Sequence, residues 1–184
     1  MARVIKAKEL RDRKTVALAR WLIGKHLVRR GRGGRPTAHL ITEVEAYDGE
    51  HDLACHARVG KTKRTAVMFE PGGVWYVYLC YGVHEMLNLV VGQGDWPAAV
   101  LIRGVVGASG PGRLTKALGI DRGLNARPAT RATGLWLEDR GGRIPRSAIK
   151  ATPRIGVGYA GPIWAAKPWR FVLDERSLTA KRKA

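Results

Sequence analysis

The feature that most restricts the fold is the grouping of apolar residues into short runs dense in β-branched and aromatic side chains, each cut off by a turn. HLVRR from 26, the stretch from Thr37 to Tyr47, VWYVYLCY from 74, MLNLVV from 86, AAVLIRGVV from 98, LWLED from 135, RIGVG from 154 and WRFVL from 169 all read as strands. Tyr81-Gly82 supplies a turn that folds 74–91 into a hairpin. Helical spacing is confined to two places. Val16, Ala19, Leu22 and Ile23 follow Thr15, an N-cap candidate, and Gly24 offers a stop, which predicts a helix over 15–23. Ser109-Gly-Pro-Gly followed by RLTKALGI reads as a loop opening a short helix. Many strands joined by short turns, few helices and no repeat or low-complexity linker predict a single α+β domain over 1–184, built on an antiparallel sheet. The basic stretch at about 178–184 is expected to be a frayed tail.

Charge limits what such a domain binds. Lys and Arg number 33 against 15 Asp and Glu, a net charge of +18 that no core requires. A polyanionic partner follows, and nucleic acid is the commonest one. A membrane surface is the weaker alternative, because no run approaches about 20 apolar residues and the basic residues do not line one face of an amphipathic helix. The charged N-terminus has no signal-peptide run, so a cytoplasmic protein is expected. Cys55 and Cys80 lie in unrelated surroundings and read as reduced packing residues. The Gly31–Pro36 loop, with Arg29, Arg30, Arg32 and Arg35 in or beside it, is a candidate for phosphate contact.

Within the strand HLITEVEAY, alternation puts Glu43, Glu45 and Tyr47 on one face and Val44 and Ala46 on the other. Carboxylates in an otherwise apolar strand need a partner, and Arg103, interrupting AVLIRGVV, needs a carboxylate. A Glu45–Arg103 pair resolves both, either as a structural stitch between strands or as part of a reactive centre. Tyr76 and Tyr78 share a face, and Tyr76 reads as packing. Tyr81, at a hairpin tip in so basic a chain, reads as a stacking or wedging group for nucleic acid. His51, His56 and His84 lack metal-ligand spacing. Gly107–Gly112 fits a helix cap as well as an anion site and lacks the ending of a nucleotide-binding loop.

Taken in order, ALARWLIGKHLV, TEVEAYDGEHDLACHARVGKTKRTAVMF, PGGVWYVYLCYGVHEMLN, VLIR, SGPGRLTKALGI, RIGVGYAG and KPWRF resemble the alkyladenine (3-methyladenine) DNA glycosylase family of the mammalian type, over about Leu18 to Phe171. The resemblance implies a curved antiparallel β-sheet core with flanking helices and a protruding β-hairpin. It implies a monomeric, cofactor-free enzyme of base excision repair that takes alkylated or deaminated purines, of the 3-methyladenine, 7-methylguanine, hypoxanthine and ethenoadenine type, from double-stranded DNA. By resemblance, Glu45 is the general base, Arg103 and the main chain of Ile155 help hold the water, and Tyr47, His56 and Tyr78 form the base pocket. Asn88 lies at its floor and rejects guanine, while Tyr81 fills the gap in the duplex. Two departures stand out: only GVVGAS remains where the family has a longer insertion before the GPG loop, and His84 stands where an aromatic is frequent. The rival reading is a non-enzymatic basic nucleic-acid-binding module, which accounts for the charge but not for Glu45 and Arg103.

Overall fold

A computed structural model describes residues 2–12, 14–31 and 33–176. The expected tail at 178–184 and Arg32 lie outside them. Along the chain run β1 (Arg3–Val4), α1 (Ala7–Arg11), α2 (Thr15–Leu22), β2 (His26–Arg29), β3 (Thr37–Asp48), β4 (Trp75–Cys80), β5 (His84–Val90), β6 (Ala98–Val105), β7 (Ala108–Ser109), α3 (Pro111–Ala117), β8 (Leu135–Asp139), β9 (Ile149–Thr152), α4 (Gly161–Ala166) and β10 (Arg170–Leu173). All pairings are antiparallel, in the order β1-β8-β2-β3-β6-β5-β4, with β10 added to β3, β9 to β10 and β7 to β6. The result is a curled α+β domain with few helices, as the alternation of short strands and turns predicts.

Period-two alternation sorts the central strands into two faces. One face, with Val44, Ala46, Trp75, Val77, Leu87, Leu89, Val100 and Ile102, joins Leu18, Ala19 and Leu22 of α2 in the main apolar core. The other carries Glu43, Glu45, Tyr47, Tyr76, Tyr78 and Asn88, and is capped by the loop after β3 through Cys55, Ala57 and Met68. Gly24, at φ +82, ends the α2 segment as expected. Thr15 is not the N-cap. That position is Lys14, and the Thr15 hydroxyl donates to Asp48 Oδ1 (2.6 Å), tying the helix to the end of β3 instead.

One further expectation is corrected. RIGVG is not a strand: the ladder in that region is β9, just before it, and 154–157 form an irregular turn with Gly156 at φ +75, leading into a 3-10 turn at Gly158–Ala160. The basic loop before β3 lies at the opposite end of that strand from Tyr47, ten residues and so about 30 Å along an extended chain. Beside that loop the Arg29 guanidinium donates to the carbonyls of Leu118, Gly119 and Gly134. The shortened segment GVVGAS closes as a tight hairpin, β6 turning through Val106-Gly107 into β7 with Val105 opposite Ala108. Among the described residues, no helix is long and apolar enough to cross a membrane.

Candidate active site

Strand register lays the site out. Glu45 pairs with Leu101, Leu101 with Asn88 and Asn88 with Tyr76, so four residues from β3, β6, β5 and β4 stand in one row on the same face, about 4.8 Å apart per strand. A bulge completes the arrangement. Val44 opposes Ile102 while Glu43 opposes Gly104, leaving Arg103 without a ladder partner and on the face of both carboxylates.

A cavity of about 520 Å³ opens on this face, lined by Tyr47, His56, Tyr76, Tyr78, Met86, Asn88, Arg103, Ile155 and Tyr159 among others, with Tyr81 at its edge. Every residue predicted for the site therefore meets at one place, with one qualification. Glu45 is itself fully buried, directly behind the lining. Its Oε1 accepts from the Ile155 main-chain N–H (2.8 Å), and its Oε2 accepts from the Tyr47 hydroxyl (2.9 Å) and from Arg103 Nη1 (3.4 Å). All three donors face the cavity.

The expected Glu45–Arg103 pair is only half of the ionic arrangement. Arg103 makes its shorter contact to Glu43 (2.7 Å), which also accepts from Arg170 Nε (2.6 Å). Arg170 was invisible as a partner because its strand joins β3 only through tertiary pairing. The two carboxylates consequently part in acidity. Burial works to raise Glu43, but hydrogen bonds from Arg170 and Arg103 outweigh it and hold the group below the usual range. Burial raises Glu45, and Arg103, the Ile155 N–H and Tyr47 offset this only in part. Neighbouring carboxylates driven apart in this way mark a division of labour: Glu43 anchors the guanidinium groups and Glu45 is the more basic.

The rings form a connected set. His56 Nδ1 lies 3.1 Å from the Tyr76 hydroxyl, and its ring centroid is 4.6 Å from that of Tyr78. Burial, with Arg64 and Arg58 nearby, pushes His56 down to about 4, so it is neutral near pH 7. Tyr76, expected only to pack, thus also orients His56. Burial and the Glu45 charge raise Tyr47 well above the usual phenol value, so it remains a donor. Asn88 Nδ2 donates to the carbonyls of Tyr76 (3.2 Å) and Met86 (3.4 Å), which fixes the amide in the lining of the cavity. Tyr159, not singled out from the sequence, lines the mouth with its hydroxyl bonded to the Ala54 carbonyl (2.9 Å).

Tyr81 is 94% exposed at the hairpin tip. Its φ of +49, with Gly82 at +71 and the Val83 N–H donating to the Cys80 carbonyl (3.1 Å), puts a bulky side chain in the left-handed region, where it costs about 1–2 kcal/mol. The three histidines stand apart: His51 against Trp96 and Trp164, His56 against Tyr76 and Tyr78, His84 at the tip of the hairpin beside Gly112. Among the described residues, no three His, Cys, Asp or Glu converge as a metal site.

The sequence is similar to known proteins along most of its length. A protein of Myxococcus xanthus (strain DK1622), named "Putative 3-methyladenine DNA glycosylase", is 47% identical over 178 residues, covering 92% of this chain and 90% of its own. Proteins of the same name from Anaeromyxobacter sp. (strain Fw109-5) and Methanocella arvoryzae are 42% and 43% identical, each covering 95% of this chain and, respectively, 92% and 95% of their own. The sequence profile of one family matches residues 9–108 and 106–177, two stretches that meet at the shortened β6–β7 hairpin. By that match and these identities, the chain belongs to the methylpurine-DNA glycosylase (MPG) family.

Proposed function

We propose that this protein is a monofunctional DNA glycosylase: it everts an alkylated or deaminated purine from duplex DNA into the cavity and hydrolyses the N-glycosidic bond, with Glu45 as general base. The observation that carries the reading is the Glu45 carboxylate, fully buried yet held by three donors that each line an aromatic cavity large enough for a purine. A basic binding module has no use for a carboxylate made more basic by burial at such a place.

The chemistry follows from these groups. A base inside a duplex is out of reach of any side chain, and eversion costs a few kcal/mol, least for a damaged and poorly paired base. Tyr81 enters the gap left behind, while Tyr47, His56 and Tyr78 receive the base. A purine alkylated at N3 or N7 is cationic, attracts tyrosine faces and departs as a neutral molecule, whereas neutral hypoxanthine or ethenoadenine departs as an anion that takes its proton from solvent. Neutral His56 adds no charge against it. Asn88, held by two carbonyls, cannot turn away from the exocyclic amino group of guanine and so disfavours the unmodified base, while 7-methylguanine, which keeps that group, relies on the weak glycosidic bond that its positive charge creates. As the bond breaks the sugar gains oxocarbenium character, which the Glu45 carboxylate stabilises while taking a proton from the attacking water. Arg103 and the Ile155 N–H position that water at the carboxylate edge. The substrates of this reading are 3-methyladenine, 7-methylguanine, hypoxanthine and ethenoadenine in double-stranded DNA.

The test is single-turnover release of free base from duplexes each carrying one of these lesions. Release of at least 3-methyladenine or hypoxanthine is expected; release of neither, at any protein concentration, refutes the enzymatic reading in favour of a binding module.

A further inference from the structure

Apart from the groups assigned to the reaction, the best-formed buried charge pair in the described residues is Asp52–Arg154. Arg154 Nη1 donates to Asp52 Oδ2 (2.6 Å) and Nη2 donates to Oδ1 (2.9 Å), with both side chains wholly buried. Nη1 also donates to the carbonyl of Ala46 (2.9 Å), the residue between Glu45 and Tyr47. The guanidinium carbon lies 4.9 Å from the centre of the Tyr47 ring and 5.1 Å from that of Trp169. Asp52, for its part, accepts from the main-chain N–H groups of Asp48 (3.2 Å) and Ala54 (3.0 Å), which shapes the turn between Tyr47 and His56.

Such a pair is a poor device for stability alone, because taking two charges from water offsets most of their attraction and an apolar pair of equal volume serves as well. Arg154 Nε even lacks a hydrogen-bond partner among the described residues. Its placement matters more. Arg154 directly precedes Ile155, whose N–H donates to Glu45. Tyr47 lines the cavity and Arg154 does not, so the guanidinium braces the ring from behind. One fork therefore joins three segments: the end of β3 with Tyr47, the turn leading to His56, and the turn that presents Ile155.

We propose that the Asp52–Arg154 pair positions the hydrolytic centre: it holds the Ile155 N–H against Glu45 and seats the Tyr47 ring, without touching the base. The proposal rests on the glycosylase reading above. Its mechanism is specific, since the Ile155 N–H favours the ionised carboxylate and its loss makes Glu45 harder to deprotonate.

Arg154→Lys keeps the charge but breaks the two-pronged contact, and Asp52→Asn keeps the shape but removes the anion. Each is compared with the wild type by single-turnover release of hypoxanthine from duplex DNA across pH, by affinity for lesion-bearing DNA and by thermal unfolding. Expected is a loss of about 10- to 100-fold in the chemical step, with its acid limb moved to higher pH. Lesion affinity is expected to fall by a smaller factor than the chemical step, since Tyr47 is one of three side chains that receive the base. A rate within about twofold of wild type, or a loss with the acid limb unmoved, overturns the proposal. So does failure of both variants to fold, which makes the pair purely structural. A wild-type protein that releases no base refutes the glycosylase reading itself and is thereby distinguished from failure of the variants alone.

Discussion

The Tyr47 hydroxyl donates to Glu45 Oε2 at 2.9 Å, so a wall of the cavity and the buried carboxylate behind it are one hydrogen-bonded unit. Under the proposed mechanism that bond couples base recognition to water activation through a single side chain.

Glu45→Gln keeps the shape and the acceptor oxygen but cannot take a proton. Release of 3-methyladenine or hypoxanthine in single turnovers should fall by about 10²- to 10⁴-fold, the range of a lost general base. Affinity for lesion-bearing DNA should be unchanged or improved, because a buried negative charge near the phosphates is gone. A variant that still releases base at near wild-type rates removes Glu45 from the role.

Burial holds Glu45 above the ordinary value of 4.5, and a general base acts only when ionised. The acid limb of the pH–rate profile on a neutral lesion should therefore lie above that value. Tyr47→Phe deletes a donor that favours the ionised form while keeping the ring, so the limb should move further up with little change in lesion affinity. A limb that stays in place or moves down contradicts the coupling.

Tyr81 carries backbone strain at an exposed tip, where a ring has nothing in the protein to pack on. Tyr81→Asn fits the left-handed conformation better and should leave the unfolding temperature unchanged or slightly higher. The same variant should lose lesion capture more than salt-dependent binding to undamaged duplex, since a wedge stabilises the everted state whereas cations hold phosphates. Equal losses on both DNAs count against the wedge.

His56, depressed to about 4 by burial and the neighbouring Arg64 and Arg58, binds a proton more weakly in the folded than in the unfolded chain. Between its ordinary value of 6.5 and about 4, the unfolded state takes up the extra proton, so stability falls as pH falls through that window. Thermal unfolding from pH 7 to 4.5 should show a shallower loss for His56→Gln than for wild type. Parallel curves would mean that His56 is not held neutral.

Much of the site was legible because its first organising rule is local. Alternation in HLITEVEAY puts Glu43, Glu45 and Tyr47 on one face whatever the strand pairs with, and Tyr81-Gly82 between two strand-like runs makes a hairpin tip. The anomaly of Arg103 in an apolar run likewise signals a carboxylate nearby. RIGVG misled for the complementary reason: its apolar alternation is that of a strand, yet Gly156 turns the backbone and the Ile155 N–H goes to Glu45 instead of a ladder.

What the sequence determined by itself is thus the alphabet of the fold and the identity of its odd residues, because side-chain period and turn preference depend on a few neighbouring positions. Only tertiary structure decided who meets whom. The row Glu45, Leu101, Asn88, Tyr76 is a matter of register among four strands, Arg103 reaches Glu43 through a bulge, and Arg154 meets Asp52 across 102 residues of chain. Those meetings depend on packing the whole sheet against its core, where a shift of one residue would send each polar group to the opposite face.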